Sequence, residues 1–90
     1  MNETITTITA KIELVKQLFQ ESRERVKQLK IEVERERKEC DIFGWYDDCG
    51  EFYRDSYKEA KIKLKCAVDE RIRLEKTMRY LKHRLRELTD

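Results

Sequence analysis

Asp41-Ile42-Phe43-Gly44-Trp45-Tyr46-Asp47-Asp48-Cys49-Gly50 is the stretch that decides how this chain folds. It holds both glycines of a chain that has no proline, and it interrupts an otherwise unbroken hydrophobic repeat. Gly44 suits a left-handed position at a helix C-terminus, where a residue without Cβ is least strained. Asp48 followed three residues later by Glu51 reads as a capping box that opens a new helix. A kink in one continuous helix is the alternative, but two glycines and a helix start this close together favour a turn.

Upstream, Ile5, Ile8, Ile12, Val15, Phe19, Ser22, Val26, Leu29, Val33, Glu36 and Cys40 recur at alternating steps of three and four residues. Downstream, Tyr53, Tyr57, Ala60, Leu64, Ala67, Arg71, Leu74, Met78, Leu81, Leu85 and Leu88 do the same. Each series is a heptad repeat, the mark of helices packed along a seam. If the chain folds back at the turn, facing residues must have numbers with a constant sum. Cys40 with Tyr53, Glu36 with Tyr57, Val33 with Ala60 and so on to Ile5 with Leu88 all sum to 93. The sequence therefore predicts an all-α fold, an antiparallel two-helix coiled-coil hairpin over 1–90. Helix 1 is expected over about 3–40, the turn over 41–48 and helix 2 over 49–89. At about 1.5 Å rise per residue each helix would run roughly 55–60 Å.

One layer sets Ser22 opposite Arg71. A guanidinium in mid-seam can pack its stem and send its head toward Glu70, Glu75 or the edge, penalising slipped registers. Simple tolerance of one imperfect layer is the other reading.

The composition agrees with long helices. Charged residues make up 44% of the 90 residues and hydrophobic ones 39%, a balance typical of coiled coil. A chain this short is below the size where one globular core is comfortable. Leu14, Leu18, Ile31, Ile62, Cys66, Val68, Ile72 and Tyr80 lie off the seam and exceed what a lone hairpin needs, so a homodimer forming a four-helix bundle is expected. No apolar run is long enough to cross a membrane, and Met1–Ala10 carries neither the basic nor the apolar region of a signal peptide. The expected location is cytoplasmic.

The formal net charge is only +2, but its distribution is uneven. On the g side of the seam Arg25 is expected near Glu70, and Glu32 near Lys63. The e side collects Lys16, Arg23, Lys30, Arg37, Arg54, Lys61 and Lys82, with Lys58, Lys65, Arg79 and Arg86 beside them. Such a stripe fits nucleic-acid phosphates, an acidic protein surface including a second copy of the chain, or a solvated face that keeps the chain soluble. No aromatic interleaves with the stripe and no base-reading motif accompanies it.

Six of the eight aromatics fall between Phe43 and Tyr57. Tyr53 and Tyr57 belong to the seam. Phe43, Trp45 and Tyr46 sit on the turn with Asp47 and Asp48, and read either as a plug over the seam's open end or as a recognition tip. The odd cysteine count favours reduced thiols, although Cys40 and Cys49 bracket the turn and could pair in an oxidising compartment. A metal would need donors beyond these two sulfurs, so neither metal nor cofactor is expected.

The stretch from Gly44 to Phe52 resembles the tip of the N-terminal coiled coil of the Gre transcript-cleavage factors. Gly44, Glu51 and Phe52 match that tip, and Asp48 stands where its second acid would be. Trp45 replaces the first acid and Cys49 an asparagine. The resemblance implies insertion into the RNA polymerase secondary channel, where the family's two acids hold a magnesium ion.

No Ser/His/Asp or Cys/His neighbourhood, phosphate-cradling glycine loop or ligand-spaced His/Cys cluster is present, so catalysis is not expected. The sequence points to a small interaction protein, a regulator, inhibitor or assembly factor of phage or plasmid type among them. It would bind a larger protein through its tip or flank. Nucleic-acid binding through the stripe is the alternative.

Overall fold

The computed structural model describes residues 4–45 and 50–90. It contains two helices, α1 (Ile5–Phe43) and α2 (Gly50–Thr89), and no strand among the described residues. The chain is an all-α helical hairpin.

Thr4 starts α1. Its Oγ1 accepts from the Thr7 backbone N–H at 3.1 Å and lies 2.8 Å from the Thr7 hydroxyl, while its carbonyl accepts from the Ile8 N–H at 3.0 Å. A threonine at this position satisfies a donor that has no partner within the helix. The other end runs further than the heptads suggested, to Phe43 rather than residue 40. Phe43 continues the alternating step from Cys40, and its ring stacks on Tyr53 at 5.0 Å. Phe43 and Gly50 also sum to 93, so the register extends one step beyond Cys40 and Tyr53.

The left-handed conformation expected at Gly44 is not adopted, since no glycine has positive φ among the described residues. The Gly44 N–H instead donates to the Cys40 carbonyl at 2.8 Å and completes an ordinary helical turn. Glycine is required here by proximity, because a Cβ at Gly44 would collide with that same carbonyl oxygen. Gly50 is constrained in the same way. A Cβ there would stand 2.5 Å from the Gly44 carbonyl oxygen and 3.0 Å from its carbon. The two glycines thus let the helix ends meet backbone to backbone. Asp48, the expected cap of α2, lies outside the described residues; its partner Glu51 occupies the first turn of α2.

The packing gathers into two compact units. One joins Met1–Arg23 to Asp69–Asp90. In it Ile8, Ser22 and Leu81 are buried, and Ile12, Val15, Phe19, Arg71, Leu74, Met78 and Leu85 are half-buried. Ile5 and Leu88, the outermost layer, are exposed. The other unit is Glu24–Val68. Val26, Ala60 and Ala67 are buried there, and Leu29, Val33, Glu36, Cys40, Tyr53, Tyr57 and Leu64 are half-buried. The seam residues from Ile8 to Cys40 and from Tyr53 to Leu85 are all shielded in this way, whereas Phe43 is exposed.

The polar layers behave differently from each other. Glu36 accepts a hydrogen bond from the Ser56 hydroxyl at 2.9 Å, a side-chain bridge between α1 and α2. Ser22 has its Oγ buried without a hydrogen-bond partner among the described residues. Arg71, opposite in the register, is half-buried, and its head makes no ion pair with Glu70 or Glu75; Glu75 is held by Arg79 at 2.9 Å instead.

Candidate functional site

The tip belongs to the Glu24–Val68 unit and rests on three stacked parts. The Phe43 ring lies on Tyr53, and Phe52 meets Tyr53 edge-on at 5.4 Å and 83°. The Arg54 guanidinium donates to the Gly44 carbonyl at 3.1 Å, so a cation on α2 satisfies a carbonyl left over at the end of α1. Gly50 closes on the other side of that carbonyl. Beyond this closure Trp45 is 84% exposed, and Ile42 and Phe52 are 61% and 69% exposed. Phe43 thus lies against Tyr53 of the seam, whereas Trp45 is exposed to solvent. Tyr46, Asp47, Asp48 and Cys49 lie outside the described residues.

Charge sharpens the tip. Residues 39–55 carry six acids (Glu39, Asp41, Asp47, Asp48, Glu51 and Asp55) and one base, Arg54, whose guanidinium is turned to the Gly44 carbonyl. The rest of the chain is correspondingly basic. A segment rich in acids that also carries exposed apolar side chains suits a partner with an apolar pocket and a positive rim.

The basic flank is partly neutralised within its own helices. Arg37 holds both carboxylate oxygens of Glu34, at 2.6 and 3.2 Å, and reaches Asp41 at 3.2 Å. The hydrogen bond from Arg37 holds the Glu34 carboxyl below its ordinary range, aided by the nearby positive charges of Arg37 and Lys38. Arg79 is paired with Glu75, the Lys61 ammonium lies 4.3 Å from the Tyr57 ring centre, and the Arg23 guanidinium lies 6.0 Å from that of Phe19. Among the described residues Lys16, Lys30, Lys58, Lys65, Lys82 and Arg86 make no ion pair. The expected Glu32–Lys63 pair is not closed either.

Two hollows lie among the described residues. One hollow is lined by Lys30, Ile31, Glu34, Arg35 and Lys38, all from α1, and is a dent in a helix face. A second, in the Met1–Arg23 and Asp69–Asp90 unit, is lined by Phe19, Glu75, Met78, Arg79 and Lys82. Cys40 and Cys66 are free thiols, half-buried and exposed respectively. No described helix is long and apolar enough to cross a membrane.

Three features of the tip escaped the heptad reading. Ile42 and Phe52 fall on outward positions beside the seam, and that placement alone would have marked them as presented. Arg54 looked like one more cation of the flank, and only the closeness of the helix ends gives it the Gly44 carbonyl. The Ser56–Glu36 bridge was hinted at only by the acid in the seam. No protein-family model, curated protein or solved structure matches the chain.

Proposed function

We propose that this chain is a non-enzymatic interaction protein that engages a larger protein through its aromatic-acidic tip. The observation that carries the reading is Trp45, 84% exposed beside helix ends that are joined by a stacked ring pair and a close approach of two glycines. Leaving an indole in water is unfavourable, and such rings are the anchors on which interfaces concentrate their affinity. Six acids within residues 39–55 favour a partner pocket with a basic rim. Proteins of this size and charge serve as regulators, inhibitors or assembly factors, and the same class of role is proposed here.

The test is affinity capture from the native host by the wild type and by a Trp45→Ala/Tyr46→Ala variant, read by quantitative mass spectrometry. The proposal expects a discrete set of proteins to disappear from the variant while helicity and thermal midpoint stay within error. Identical capture by both chains overturns the tip as the site. Recovery of RNA polymerase in that set would single out the channel-binding reading that the Gre-like tip implies.

The basic flank supports a second reading, binding along nucleic-acid phosphates by Lys16, Lys30, Lys58, Lys65, Lys82 and Arg86. The local pairing of Arg37 and Arg79 favours the tip over this reading. Electrostatic binding of this kind must weaken steeply with salt. A mobility shift at low salt that is abolished by neutralising Lys30, Arg37, Lys58 and Lys61 together would establish it, and no shift at low salt would reject it.

A homodimer is part of the same proposal. The described hairpin buries few large side chains, with Ile8 as its one fully buried bulky residue. A core this thin favours association that covers more apolar surface.

A further inference from the structure

The hollow of the Met1–Arg23 and Asp69–Asp90 unit joins two half-buried apolar side chains, Phe19 and Met78, to the exposed cations Arg79 and Lys82, with Glu75 as its one acid. Arg79 is held by Glu75 at 2.9 Å, whereas Lys82 makes no ion pair among the described residues. The surroundings are basic as well. Counted over the whole circumference, the facing stretches 7–23 and 70–86 hold ten Lys and Arg against four acids, Glu13, Glu21, Glu70 and Glu75. The stretch 36–57, which carries the tip, has the opposite balance, with seven acids against Arg37, Lys38 and Arg54. In it Trp45 is 84% exposed, and Asp41, Glu51 and Asp55 are exposed with it.

Resting on the tip reading above, we infer that the Phe19–Met78 hollow of one copy receives the Trp45 tip of a second copy. The tip suits an apolar recess bordered by cations, and the chain carries such a recess itself. An indole gains more than any other ring from a cation over its face, and Arg79 and Lys82 both stand beside the apolar pair. The opposite charge of the two stretches draws tip and hollow together and disfavours tip against tip or hollow against hollow. The contact joins two different surfaces, so it is heterologous and runs head to side from copy to copy. A tip engaged in this way is withheld from any other protein, so self-docking and capture of a larger partner compete for Trp45.

Trp45 is the only tryptophan of the chain, so its emission reports on the tip alone. The test titrates a dilute Arg79→Glu/Lys82→Glu chain, which keeps the tip but not the basic hollow, with a Trp45→Ala chain, which keeps the hollow and contributes no tryptophan signal. Both substituted cations are exposed, so circular dichroism should show unchanged helicity. Emission is expected to shift to the blue and saturate, and added salt should move the titration to higher concentration because the charges are screened. A Trp45→Ala/Arg79→Glu/Lys82→Glu titrant should produce no shift. Absence of a shift with the Trp45→Ala chain overturns self-docking, and an equal shift with both titrants overturns the hollow as its site. Host proteins still captured through Trp45 in either case would leave the tip reading standing, whereas a shift without such capture would confine the tip to its own kind.

Discussion

Gly50 has no room for a methyl group. Its absent Cβ would meet the Gly44 carbonyl, which is backbone and already held by Arg54. Gly50→Ala should therefore destabilise the hairpin by about 1–3 kcal/mol, the usual penalty of overpacking, seen as a lower urea midpoint at unchanged slope. Ser22 presents the reverse case. Its hydroxyl is buried without a partner among the described residues, so Ser22→Ala should raise stability by about 1 kcal/mol. A fall of that size would mean the hydroxyl is satisfied and useful. Leu81→Ala should cost about 2–4 kcal/mol and Ile31→Ala under about 0.5, because the first is buried and the second exposed. The contrast between Gly50 and Ser22 also shows what a sequence can and cannot display at this scale. Both glycines were legible as turn markers, but the conformation inferred for Gly44 was wrong. Proximity between chain segments, rather than backbone handedness, demands the missing Cβ, and residue type does not distinguish the two.

At the scale of the helix, the heptads carried nearly all the information. They placed each seam residue, and the burial of Val26, Ala60, Ala67 and Leu81 follows the alternation without an insertion. Helix ends were less legible, because caps depend on local geometry. Thr4 caps α1 through a Thr-x-x-Thr pattern, and Thr4→Ala should cost about 1 kcal/mol. The Glu36–Ser56 bridge links the helices near the turn, and a double-mutant cycle with alanine at each position should give a coupling of roughly 1 kcal/mol. Charge pairing along α1 is testable by titration. Glu34 has a lowered folded-state value, so its contribution is present above the ordinary carboxylate range and is lost as pH falls through the lowered value. NMR titration of the Glu34 carboxyl should find it below an ordinary glutamate, and Arg37→Gln should return it to that range. The flank illustrates the limit of reading charge from one-dimensional order. Its cations were all visible, whereas the rotamers that bring Arg37 to Glu34 and Asp41, or Lys61 to Tyr57, were not.

For the molecule as a whole, the register explains why one short turn gathers the exposed rings. Folding back on a sum of 93 brings Phe43 to Tyr53 and Arg54 to the Gly44 carbonyl, which leaves Trp45 outside. The proposed division of labour follows, with the helices as scaffold and the tip as the binding surface. It predicts that a seam variant such as Leu81→Ala loses stability without changing which proteins are captured, while Trp45→Ala does the opposite. All of this rests on the antiparallel fold-back, and disulfide trapping tests it most directly. In a chain with Cys40, Cys49 and Cys66 replaced by serine, Val33→Cys/Ala60→Cys should oxidise to an intramolecular crosslink in dilute solution, identified by peptide mass after digestion. Val33→Cys/Leu74→Cys, off the register, should not. Efficient crosslinking of the second pair, or none in the first, would contradict the register on which the account is built.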